Sequence, residues 1–157
     1  MRFRSHIDDL ASDEVRDLVA EHLRGMHAHS PPETVHAFSI DGLRRPEVTF
    51  WSIWDGQTLC GCAALKELSP QAGEIKSMRV RASHLRQGVG QYALDVVTEA
   101  ARQRGYVQLL LETGTGAAFE PAHGLYLKNG FNWCGAFGNY TPTDFNVFMS
   151  KSLGATK

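Results

Sequence analysis

The segment Ser83–Val97, SHLRQGVGQYALDVV, sets Gly88 and Gly90 between an arginine and the start of an apolar helical pattern. From Glu74 to Asp95 no acidic residue intervenes, whereas Lys76, Arg79, Arg81 and Arg86 are all basic. A near-neutral chain, with a net charge of −1, has therefore gathered positive charge at one strand-to-helix junction. The first N–H groups of a helix lack internal partners and carry about half a positive charge. Glycines without side chains let an anion approach that backbone, as in a phosphate cradle. On these residues alone the alternative stays open: a purely conformational turn beside a solvated arginine face. Neither G-x-G-x-x-G nor G-K-[ST] is present, so the turn matches neither dinucleotide fingerprint nor P-loop.

Two other sets of residues invite chemistry and do not support it. His22, His27, His29 and His36 cluster in sequence, but no H-E-x-x-H or paired carboxylate gives them ligand spacing, so no metal is expected. Cys60, Cys62 and Cys134 are an odd set, and C-x-C suits neither a zinc knuckle nor a disulfide framework. Strand alternation puts Cys60 and Cys62 on one face, where they act as small hydrophobes. No partner that would lower a thiol pKa can be named for them. Buried reduced thiols, and an N-terminus without a secretory apolar core, lead to the expectation of a cytoplasmic protein.

The elements that must position the glycine turn follow from periodicity. Ser12–Met26 reads as a capped amphipathic helix, with Val15, Leu18, Val19, His22 and Leu23 in its stripe. Pro31 and Pro32 break it, and a short helix restarts over Pro32–Phe38. VTFWSIW, QTLCGCAALKEL and GEIKSMRV are three strands, the first two joined by Asp55-Gly56. The glycine turn then opens a helix to about Arg104, ended by Gly105. YVQLLLET is a strand covered on both faces, Pro121–Lys128 a helix capped at Asn129 or Gly130, and FNWCGAFG and FNVFMSKSL are closing strands. At 157 residues, without repeat or linker, residues 1–157 are expected to form one α/β domain. No run approaches the ~20 apolar residues of a membrane span. No basic excess marks a nucleic-acid binder. Neither partner is expected.

EIKSMRVRASHLRQGVGQYAL followed by GLYLKNGF resembles the GNAT superfamily of acyl-CoA-dependent N-acyltransferases. There a strand, a pyrophosphate-binding turn and a helix precede a further strand and a helix ending in a similar tyrosine motif. The likeness covers Thr49–Phe131 well. Two motifs in the right order are more specific than either alone. The family turn reads [QR]-x-x-G-x-[GA]; here Leu85 takes the leading place and Arg86 follows. Phe119 stands where many members have asparagine, seven residues before the tyrosine.

The resemblance implies an α/β (α+β) fold. It has a mixed central sheet of about six to seven strands, splayed between the fourth and fifth, with helices on both faces. It implies acetyl-CoA as co-substrate and direct attack of a primary amine on the thioester. Met78, Arg79 and Val80 would pair with the pantetheine arm. Arg86, Gln87, Gly88, Val89, Gly90 and Gln91 would take the pyrophosphate, and Glu112 and Thr113 complete the cofactor-binding set. The Val80 N–H is a candidate oxyanion donor. Tyr126 is the candidate general acid, or a hydrogen-bond donor to the sulfur; Glu74 is the candidate base, directly or through a water. His27, His29, Phe119 and Tyr140 are substrate-side candidates. The acceptor is a small-molecule or protein amine, and the apolar last strand could pair in a homodimer. Two alternatives remain at this point: a non-catalytic acyl-CoA-binding sensor or interaction domain, and a phosphate- or nucleotide-binding α/β domain unrelated to acyl transfer.

Overall fold

A computed structural model describes residues 2–20, 40–116, 119–137 and 146–154. The strands are β1 (Phe3–Ile7), β2 (Val48–Asp55), β3 (Thr58–Ser69), β4 (Ala72–Val80), β5 (Gln108–Gly114), β6 (Asn132–Cys134) and β7 (Asn146–Ser152). The helices are α1 (residues 13–20), α2 (Ile40–Leu43), α3 (Val89–Gln103) and α4 (Glu120–Lys128). The seven strands form one sheet in the order β1-β2-β3-β4-β5-β7-β6. Every pairing is antiparallel except β4 with β5, joined through the right-handed type of crossover that a helix such as α3 provides.

That parallel pair is short. Ala72, Gly73 and Glu74 face Gln108, Leu109 and Leu110, and no pairing continues beyond Glu74↔Leu110. The rest of β4 and β5 diverge, which is the expected splay between the fourth and fifth strands.

Each face of the sheet carries a helix-covered core. Under α3, Val89, Ala93, Leu94, Val97 and Ala101 pack on Ile53, Ala63, Leu65, Ile75, Leu109 and Leu111, with Tyr126 of α4 alongside. On the other face Val15, Leu18 and Val19 of α1 and Leu43 of α2 cover Val48, Phe50, Cys62 and Ala64. Each fully buried Leu or Val of these stripes contributes about 1.5–3 kcal/mol of transfer free energy, which holds the helices to the sheet. α1 begins as its sequence indicates, with Val15 N–H donating to Ser12 Oγ at 3.3 Å.

Two bulges change which way side chains point. Ile53 faces Gly61 and Trp54 faces Leu59, so Cys60 is an extra residue in β3. Cys60 therefore joins the core under α3 while Cys62 joins the opposite core, correcting the single-face expectation. In β4, Cys62 faces Arg79 and Ala64 faces Lys76, leaving Ser77 and Met78 opposite Ala63 alone. Ser77 takes a positive φ of 51° there. The parity flips across this bulge: Glu74 and Lys76 share one face, Met78 and Val80 pack with Ile75 on the other.

Three elements differ from the sequence expectation. β1 was not anticipated, because FRSHI is short, polar at Arg4, Ser5 and His6, and has no buried residue along its sheet edge. α2 is a single turn without periodicity of its own. β6 covers only residues 132–134 of the expected FNWCGAFG strand. The expected helix over Pro32–Phe38 and the end of the first helix lie outside the described residues.

Candidate active site

The turn from β4 to α3 is shaped for backbone donation. After a single 3-10 turn at Ala82–His84, Leu85 is extended, Arg86 has φ 63° and Gly88 has φ 93°. Left-handed residues alternating in a short stretch turn successive N–H groups toward one concavity. Gly88 is the N-cap of α3, no side chain caps that helix, and its first turn has no acid. Its free N–H groups and dipole are left available to an anion. Gly90 is glycine for a packing reason: a Cβ would lie 3.3 Å from Leu125 Cδ2 of α4.

A groove of about 830 Å³ opens on the α3 side of the sheet, between the end of β4, the turn and α4. Of the sequence candidates, Met78, Arg79, Val80, Arg86, Gly88, Val89, Gly90, Gln91 and Tyr126 line it. Phe119, expected on the acceptor side, lines this same groove. Gln87 does not: its amide donates to Ser83 O at 3.2 Å, and its Oε1 accepts from Arg2. Glu112 and Thr113 do not line it either, nor does Glu74. His27, His29 and Tyr140 lie outside the described residues.

The backbone of β4 leaves donors toward the splay. Arg81 N–H reaches Cys60 O at 2.9 Å, so hydrogen-bonded pairs fall on 60↔81 and 62↔79. Alternation in an antiparallel ladder then turns the Val80 N–H away from β3, toward the gap left by β5.

Tyr126 is 8% exposed, and burial pushes its phenol up to about 12. It stays protonated, and therefore able to donate, throughout the neutral range. Its hydroxyl has no hydrogen-bond partner among the described residues, and its ring contacts Phe131 at 5.6 Å between centroids. Glu74 is 2% exposed and accepts from Lys76 Nζ at 3.3 Å, on the sheet face away from the groove. Burial lowers the Lys76 ammonium below its ordinary range, against the opposing pull of Glu74.

Two bracing contacts were not legible from sequence. Asp55, at the β2–β3 hairpin, accepts from Arg2 Nε and Nη2 at 3.1 and 3.0 Å and lies 3.2 Å from His84 Nε2. The Arg2 hydrogen bond, with help from His84, holds its carboxyl below the usual range. Gln91 and Asn129 exchange reciprocal amide hydrogen bonds at 2.8 and 2.9 Å, tying the start of α3 to the end of α4. The groove residues missed by the sequence reading are His84, Leu85, Pro121, Ala122, Leu125 and Lys128. A basic residue at the end of a motif helix was the available signal for Lys128. The apolar ones carry no signal separable from core. Among the described residues no group of three His, Cys, Asp or Glu could hold a metal ion.

A mixed sheet splayed at its parallel pair, with an uncapped glycine turn beside the gap, defines the class of acyl-CoA N-acyltransferase folds. A crystal structure from Klebsiella pneumoniae subsp. pneumoniae MGH 78578, assigned as an acyl-CoA N-acyltransferase, superposes with a TM-score of 0.79 at 27% identity, covering 97% of this chain and 98% of that one. A GNAT family acetyltransferase from Elizabethkingia anophelis, solved with acetyl-CoA bound, shares the fold at a TM-score of 0.71 and 19% identity, with 97% and 99% covered. The acetyltransferase (GNAT) family profile matches residues 12–131. The N-acetyltransferase YsnE of Bacillus subtilis (strain 168), itself uncharacterized, is 52% identical over 147 residues, 94% of this chain and 97% of its own length. The chain belongs to the acetyltransferase (GNAT) family, and it is an N-acetyltransferase.

Proposed function

We propose that the chain, as one domain over residues 1–157, transfers the acetyl group of acetyl-CoA to a primary amine by direct attack. The observation that carries this reading is the uncapped, acid-free start of α3 at one end of a groove whose other wall holds Tyr126. In this reading the N–H groups from Arg86 to Gln91 take the pyrophosphate, with Arg86 and Lys128 adding positive charge at the groove wall. The pantetheine arm lies along the end of β4, and the Val80 N–H stabilises the oxyanion.

Tyr126 then faces the departing sulfur. An ordinary thiol ionises near ~8.5, so complete proton transfer from a phenol held at about 12 is uphill by roughly 5 kcal/mol. Tyr126 therefore serves first as a hydrogen-bond donor that stabilises the thiolate as the C–S bond breaks, and gives up its proton only if desolvation raises the thiol as well. The groove can take acetyl-CoA without a metal, because each role above has a protein donor. The chain acts in the cytoplasm in this reading, on a free or protein-borne amine.

The test is calorimetric titration with acetyl-CoA, joined to an amine-library screen read by thiol release. Saturable binding with acetylation of at least one primary amine is expected. No binding at near-millimolar acetyl-CoA would sink the reading.

A further inference from the structure

An anion site gains from the absence of carboxylates, and between Glu74 and Asp95 the chain carries none. The fold nevertheless brings one back. Asp55, which closes β2 at the hairpin into β3, has its Oδ2 3.2 Å from Nε2 of His84, a residue of the groove wall. Neither Asp55 nor its partner Arg2 lines the groove itself. On charge alone a carboxylate in that place disfavours a bound polyanion, because it repels the phosphates. What Asp55 contributes has to come from the groups it holds.

Residues 85–88 are exposed, so apolar burial does little to fix the backbone of the turn. Arg86 nonetheless holds φ 63°, a left-handed conformation that costs a residue with a Cβ about 1–2 kcal/mol. Apparent affinity for an anion falls in proportion to the fraction of chains with the turn in its competent form. Hydrogen bonds from outside the turn supply the restraint. The Gln87 side chain donates to Ser83 O at 3.2 Å and accepts from Arg2 Nη2, which ties the middle of the turn to the 3-10 segment. Arg2 is fixed in turn, its Nε and Nη2 donating to Asp55 Oδ2 at 3.1 and 3.0 Å. The His84 ring is held from both sides, by Asp55 and by Ser83 Oγ at 2.8 Å from Nδ1. Asp55 is anchored through its backbone, which pairs with Phe3 in the β1–β2 ladder, and Arg4 Nη2 donates to the adjacent Gly56 O at 3.0 Å. The Phe3 ring meets Tyr92 of α3 at 5.8 Å between centroids and lies 3.9 Å from where a Gly88 Cβ would stand. The start of β1 and the β2–β3 hairpin thus converge on the turn into α3.

We propose that Asp55 and Arg2 are positioning residues of the cosubstrate site, holding the turn through Gln87 and His84 in the form whose N–H groups meet the pyrophosphate. This assignment rests on the acetyl-CoA reading above. Positioning and simple charge differ in sign. Removing the Asp55 charge relieves repulsion, so a purely electrostatic role gives tighter acetyl-CoA binding in D55N. A positioning role gives weaker binding, because Arg2 and His84 lose the acceptor they share. Arg2 separates the two roles as well. Its charge survives in R2K, but a lone ammonium cannot reproduce the planar fork that reaches Asp55 and Gln87 together.

The test compares full-length wild type, D55N, R2A and R2K by calorimetry with acetyl-CoA. Initial rates are taken with acetyl-CoA and with S-acetyl-pantetheine, which lacks the pyrophosphate, using whichever amine gives the fastest thiol release. D55N and R2A should each raise the Kd and KM for acetyl-CoA about fivefold, the scale of a well-formed exposed ion pair, with kcat at saturation within about twofold. R2K should resemble R2A. For acetyl-pantetheine kcat/KM should stay within about twofold in every variant, since it offers the turn no pyrophosphate. If that thioester reacts too slowly to follow, the calorimetric values decide; if D55N does not fold, R2A and R2K decide. Unchanged or tighter acetyl-CoA binding in D55N overturns the assignment alone, as does a wild-type Kd in R2K. Equal losses with both thioesters, alongside a lower melting temperature, also overturn it by making the contacts merely structural. Absence of acetyl-CoA binding in wild type overturns the cosubstrate reading and this one with it.

Discussion

Tyr126 illustrates how burial decides what a side chain can contribute. A phenol at about 12 is a poor proton source but a permanent donor, so its value lies in holding the leaving sulfur. Tyr126→Phe should reduce kcat by about 10- to 100-fold while the Kd for acetyl-CoA changes less than about threefold, in the range of a lost catalytic hydrogen bond. Steady-state rates with calorimetry on the same preparation check it; equal kcat would assign the tyrosine to packing with Phe131. The motif GLYLKNGF was enough to single out this residue. That its hydroxyl has no hydrogen-bond partner among the described residues, and that Lys76 occupies Glu74, are set by how the strands and helices pack and not by the motif.

The element that carries most of the proposed cosubstrate binding is the turn into α3, and its requirement is conformational before it is chemical. Gly88 stands at φ 93°, where an L side chain is strained by about 1–2 kcal/mol. Gly88→Ala should therefore weaken acetyl-CoA binding by about tenfold or more as the N–H groups turn out of line, with a small loss of stability. Titration of the variant, with circular dichroism to confirm α3, reads both effects; wild-type affinity would remove the turn from the binding account. Periodicity made α3 legible because its buried positions recur at helical spacing, from Val89 to Ala101. Bulges left no comparable mark. Nothing in CGCAAL or EIKSMRV announces that Cys60 and Cys62 part company, or that Met78 leaves the face of Lys76. An extra residue in one strand is defined only by its partner strand.

At the scale of the molecule, two buried groups tie stability to alkaline pH. The Tyr126 phenol moves from 10.0 to about 12 on folding, and burial moves the Cys62 thiol from 9.0 to about 12. Both are raised, so the folded protein holds protons that the unfolded chain has lost between those values. The stabilisation is complete below the unfolded pKa and disappears as pH rises through the folded one. For Tyr126 the loss across pH 10–12 is about 3 kcal/mol. Urea unfolding at pH 8, 10 and 11.5 should show falling stability, less steep in Tyr126→Phe. Identical slopes in both proteins would contradict the burial argument.

Local sequence determined the helices with amphipathic stripes, the buried strands, the glycine turn and the tyrosine motif, because each is set by spacing within about a dozen residues. It could not determine where β4 and β5 part, which sheet face each glutamate occupies, or that Arg2 and Asp55 brace a turn some 30 to 85 residues away. Those depend on strand register and on the gap that opens once parallel pairing ends after three residue pairs. The residues that can grip an anion were visible in the chain. Which sheet face Glu74 and Lys76 occupy was decided only when the strands paired.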